Sequence, residues 1–136
     1  MKTHELDMVN HRGLPFLQYM ERGIKKAEGR VATPQVQSME LGDHLYLKGI
    51  EEYGIFEVTY LHFYPSFSDM LDGEGLHTMI PFVDTKEEAI QIYESFPGAE
   101  EVNEYGCCAI GIKHIETKLA FPLEEDAYYQ QNYTKK

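Results

Sequence analysis

The sequence has no tryptophan, only two cysteines, and 12 Lys and Arg against 23 Asp and Glu, a formal net charge of −11. Each shortage excludes something. Cys107 and Cys108 are adjacent, and neighbouring side chains on a strand point to opposite faces, so the two cannot readily be bridged and a disulfide scaffold is excluded. Without CxxC or CxxH spacing they suggest neither a redox pair nor a zinc site, but one core thiol and one outward thiol. Nowhere do 18 apolar residues run together, and Met1-Lys2-Thr3-His4-Glu5 lacks the basic-then-apolar start of a signal peptide. The expectation is a cytoplasmic protein with no membrane partner. Scarce positive charge argues against generic duplex DNA, because that affinity comes from neutralising many phosphates.

What is present fits one domain over residues 1–136, near the commonest domain size. Acidity is uneven: residues 1–60 carry a net −2 and the remainder a net −9. The one basic island is Arg12 to Arg30, where Arg12, Arg22, Lys25, Lys26 and Arg30 outnumber Glu21 and Glu28. A small pocket with a few positive groups suits a nucleotide, a nucleoside or a short single-stranded segment better than a duplex polymer. The six histidines show no HxH or HxxxH spacing, so neutral hydrogen-bonding roles are expected, with no metal and no cofactor.

Periodicity gives helices and strands in irregular order. Leu14 to Arg22 has helical spacing with Pro15 in the first turn. Lys26 to Val31 reads as extended, placing Lys26, Glu28 and Arg30 on one face with Lys25 reaching them from the turn. Thr33 to Glu40 reads as a loop, His44 to Leu47 as a strand, and Tyr53 to Tyr64, rich in β-branched and aromatic residues, as a long strand. Ser66 and Asp69 form a capping box before a brief helix broken by Asp72-Gly73-Glu74-Gly75. Thr85 and Glu88 form a second, before a helix to Phe96. A last strand spans Gly106 to Ile115, and the tail from Glu116 to Lys136 has no firm period. The sum is an α+β domain with a mixed, barrel-like sheet.

Gly23-Ile24-Lys25-Lys26-Ala27-Glu28-Gly29-Arg30 matches G-x-K-x-x-E-x-R and resembles the motif of the ASCH family. Leu41-Gly42-Asp43, Phe56 to Thr59, Tyr64 to Leu76 with its Glu74-Gly75-Leu76 turn, Thr85 to Phe96 and Tyr105 to Ile110 are similar to that family's later elements, in order. The resemblance covers about residues 16–113 and leaves the tail 116–136 outside. It implies a PUA-like mixed β-barrel with flanking short helices, and a cleft that binds RNA or a modified nucleotide through Lys25, Lys26, Glu28, Arg30 and Glu74. Arg30 suits a two-pronged contact with phosphate or carbonyl oxygen, and Tyr46, Tyr60, Tyr64 or Phe67 suits stacking on a base.

One branch of the family hydrolyses N4-acetylcytidine with a Lys, a Thr nucleophile and a Glu. Lys25 and Glu74 match the first and last, and Glu28 stands at the nucleophile position. On this alternative Lys25, Glu28 and Glu74 form an amidohydrolase site in which a carboxylate activates water. A ribonuclease reading is weaker for want of a visible nucleophile, and a coactivator-like module using the acidic C-terminal half is a third reading. Beside each stands a plain one: Glu28 bridging two cations at a strand edge, Glu74 a solvated turn residue.

Overall fold

A computed structural model describes residues 1–8, 15–49 and 52–119. Arg12 and most of the tail from Glu116 to Lys136 lie outside the described residues. The chain folds as an α+β structure on one five-stranded mixed sheet in the order β1-β3-β4-β5-β2. Strands β1 (Thr3–Asp7), β2 (Ala27–Val31), β3 (His44–Lys48), β4 (Glu52–Tyr64) and β5 (Cys107–Leu119) are interleaved with six short helices among the described residues. These are α1 (Phe16–Glu21), α2 (Pro34–Gln37), α3 (Phe67–Glu74), α4 (Leu76–Met79), α5 (Lys86–Glu94) and α6 (Val102–Tyr105).

β1 pairs with β3 in parallel and the other ladders are antiparallel. β4 bulges between Val58 and Tyr60, and the extra residue resets the alternation, so Val58 and then Leu61 face the same side. Phe16, Met20, Leu45, Leu47, Phe56, Val58 and Ile110 are buried between the curled sheet and its helices.

β1 and β2 are the two edges, and no ladder joins them. Side chains bridge the gap instead: Arg30 Nη2 donates to the Asp7 carbonyl at 3.1 Å and Gln35 Nε2 to the Glu5 carbonyl at 3.2 Å. The sheet therefore curls toward closure and stops short of it.

Both capping boxes form. Ser66 Oγ accepts from the Asp69 N–H and Thr85 Oγ1 from the Glu88 N–H, each at 3.1 Å. Four expectations change. Thr33 to Glu40 contains α2, which Pro34 opens at its first position, where a missing N–H costs nothing. α3 runs through Asp72-Gly73-Glu74 and ends at Gly75, whose φ of 99° other residues rarely adopt. The last strand extends to Leu119. Cys107 and Cys108 are both fully buried, because packed helices cover the strand face that was expected to meet solvent.

Candidate functional site

The motif occupies the turn after α1 and the strand β2. The N–H groups of Ile24 and Lys25 both donate to the Tyr19 carbonyl, at 2.9 and 3.1 Å, folding the chain back so that Lys25 points inward. The residue is only 2% exposed. The ammonium donates to the Ala27 carbonyl at 2.7 Å and to the Met79 carbonyl, lies 3.8 Å from Glu28 Oε1, and sits 5.2 Å from the centre of the Phe16 ring. Burial draws its pKa down to about 8, against the pull of the Glu28 carboxylate.

Glu28, also 2% exposed, accepts from Arg30 Nε at 2.6 Å. Arg30 is further held by Nη2, which donates to the Asp7 carbonyl and meets Met8 Sδ, both at 3.1 Å. Its Nη1 donors make no hydrogen bond among the described residues. Lys25, Glu28 and Arg30 are thus brought together as one charged row, with Glu28 between two cations. Lys26 is exposed, and its backbone N–H donates to the Thr78 carbonyl.

Beside this row, off the unpaired side of β2, lies a cavity of about 240 Å³ whose wall includes Leu6, Gly29, Arg30, Phe67, Tyr93 and Phe96. That space is enough for a small organic ligand rather than single waters. The rings of Phe67 and Tyr93 stack with centres 5.1 Å apart. Tyr93 is 4% exposed, and its hydroxyl has no hydrogen-bond partner. A Cβ on Gly29 would stand 2.8 Å from that hydroxyl and 2.9 Å from Met70 Cε, so only glycine permits so close an approach.

Glu74 is placed elsewhere. Its carboxylate accepts from His62 Nδ1 at 2.7 Å and from the Tyr64 hydroxyl at 2.5 Å, with Tyr60 also bonded to it. Burial pushes its pKa up, and those bonds outweigh burial and lower it. Cross-strand register puts Glu28 with Ile110 and Leu61, but Gly29 with Ala109 and His62. Directly paired residues share a sheet face, so Glu74 and its partners occupy the face opposite Glu28.

Of the aromatic candidates, Phe67 lines the cavity, Tyr60 and Tyr64 bind Glu74, and Tyr46 stacks on Tyr53. Sequence reasoning missed Gly29 and Tyr93 as cavity residues. The available signal was a tyrosine standing within the buried stripe of α5, where its hydroxyl needs a partner. No cluster of three or more His, Cys, Asp or Glu able to hold a metal occurs among the described residues, and no described helix is long and apolar enough to cross a membrane.

Two solved structures share this fold. Hypothetical protein PH0355 matches with a TM-score of 0.73 and 28% identity, over 85% of this chain and 100% of that one. Protein PF0455 from Pyrococcus furiosus, solved in solution, matches with a TM-score of 0.65 and 30% identity, over 85% of this chain and 97% of that one. No protein-family model matches the chain, and no curated protein does.

Proposed function

We propose, for a chain that belongs to the same family as protein PF0455, a single ASCH-type domain with a PUA-like barrel that binds RNA or a nucleotide-like ligand beside Arg30. The observation that carries this reading is the guanidinium in the wall of the 240 Å³ cavity. Glu28 fixes it on one edge, while Nη1 keeps its donors for a ligand oxygen. Phe67 and Tyr93 supply flat apolar surface in the same wall, as recognition of a base by stacking requires. The net charge of −11 confines favourable contact to this notch, so a mononucleotide or a short single-stranded segment suits it better than a duplex.

Lys25 has a supporting role in this reading. Two carbonyls and Glu28 occupy its ammonium, which leaves a ligand nothing to reach. Amide hydrolysis by Lys25, Glu28 and Glu74 does not enter the proposal, because Glu74 lies on the sheet face opposite Glu28 and is not part of the cavity wall. The test is a calorimetric screen of nucleosides, nucleotides and short single-stranded RNAs against the full chain and Arg30→Ala. Loss of one charge-assisted bond should weaken the best ligand about tenfold or more. Equal affinity in the two proteins would overturn the assignment.

A further inference from the structure

The hydrogen bonds of β2 leave an unfilled edge in the cavity. The Ile112 N–H donates to the Lys26 carbonyl and the Ala32 N–H to the Gly106 carbonyl. In an antiparallel pair the bonded residues alternate, so Glu28 and Arg30 turn their backbone groups toward β5, whereas Ala27, Gly29 and Val31 turn theirs outward. Two of the outward carbonyls are occupied: Lys25 Nζ donates to that of Ala27 at 2.7 Å, and the Thr33 N–H to that of Val31 at 2.8 Å. The N–H and C=O of Gly29 and the N–H of Val31 find no partner among the described residues. Gly29 is buried and lines the cavity, so these groups face that space. Close to Gly29 stands the Tyr93 hydroxyl, the one buried side-chain polar atom left unbonded among the described residues.

Buried donors and acceptors without partners are costly and uncommon. Here the N–H and C=O of buried Gly29, the N–H of half-buried Val31 and one phenol all belong to residues that line the cavity, with Phe67 stacked on the phenol ring in the same wall. We infer that Gly29 and Tyr93 form the base-reading part of the cavity, in which a flat heterocycle pairs an adjacent acceptor and donor with the Gly29 N–H and C=O and bonds the Tyr93 hydroxyl. This rests on the nucleotide-like reading of the same cavity, and it assigns the contact to the base edge rather than to the phosphate. The N–H and C=O of one outward-turned strand residue present a donor and an acceptor side by side. Nucleobases carry the complementary pair on their exposed edges. Burial raises the phenol's pKa well above its ordinary value, and the nearby Glu28 carboxylate raises it further, so the hydroxyl stays neutral and can donate or accept. Arg30 then lies toward the sugar or phosphate end.

The experiment titrates the four ribonucleoside 5′-monophosphates, and separately inorganic phosphate, into the full chain. Backbone amides are followed by NMR, and affinities are measured for wild type, Tyr93→Phe and Arg30→Ala. The expected result is that at least one nucleotide shifts the Gly29 and Val31 amides while inorganic phosphate does not. Tyr93→Phe should then weaken that nucleotide about tenfold with no loss of thermal stability, since the removed hydroxyl bonded nothing. If a nucleotide binds and Arg30→Ala weakens it, yet Tyr93→Phe binds equally and the Gly29 amide stays still, the inference falls and the broader reading stands. If no nucleotide binds, or inorganic phosphate alone matches the nucleotide's affinity, both fall. An extended peptide that shifts Gly29 where no nucleotide does would overturn the inference and assign this edge to strand addition.

Discussion

Replacing Lys25 by Met tests whether this lysine supports the fold rather than the ligand. Methionine fills a similar volume without charge, so the change isolates the ammonium. At pH 7 it strands the carbonyls of Ala27 and Met79, each worth about 1–3 kcal/mol when buried without a donor. Against that stands the relief of removing a charge from the interior, while Glu28 keeps its bond to Arg30. The net expectation is a loss of about 2 kcal/mol, or about 6–10 °C in Tm for a chain of this size. The pH dependence is more diagnostic. The folded pKa is about 8 and the ordinary value 10.5, so below pH 8 both states hold the proton and the wild type carries the full burial penalty. Between pH 8 and 10.5 the unfolded chain holds more protons than the folded one, and wild-type stability rises. At about 1.4 kcal/mol per unit, the wild type should gain about 3 kcal/mol over Lys25→Met across that window. Urea denaturation of both proteins at several pH values measures it, and groups common to the two cancel in the difference. A variant as stable as wild type at pH 7, or a stability difference that stays flat from pH 8 to 10.5, would refute the reasoning.

Two further outcomes follow from the same geometry. Glu74→Gln should leave nucleotide affinity unchanged, because the carboxylate is not part of the cavity wall. Its pKa is held low, so wild type should lose stability as pH falls through that depressed value while the Gln variant does not; a weakened ligand measured by calorimetry would contradict the placement. Burial pushes both Cys107 and Cys108 up to about 12, so neither thiol should react with a disulfide reagent in the native protein, and two equivalents should appear on unfolding. A fast native thiol, followed by absorbance, would show that one strand face is open.

Elements that carry their own pattern were legible in the sequence. The β-branched and aromatic run of β4 and the capping boxes of α3 and α5 depend on neighbours within a few residues, and those elements formed close to where the spacing put them. β1 went unread because only His4 and Leu6 face inward, and its partner strand lies about 40 residues away. α3 continued past Gly73 because the Tyr64 ring packs where a side chain at that glycine would stand, a contact that no local rule contains. The charged row was legible as a cluster, but its roles were not. Spacing could not show that the carbonyls of Ala27 and Met79 converge on Lys25, nor that register carries Glu74 to the face opposite Glu28. Gly29 and Tyr93 matter through what they lack, and missing partners become visible only after every other bond is assigned.

The open seam between β1 and β2 also fixes an order of assembly. Both strands come from the first quarter of the chain, yet β1 waits for residues 44–48 and β2 for residues 107–111. Such distant pairings form late, because long loops must close before any contact repays them. During synthesis the cavity beside β2 therefore stays unformed until β5 emerges, and a nascent chain stalled before Gly106 would carry the complete motif without the strand that holds it in place. A closed cavity would then report that the chain has been made and folded through β5.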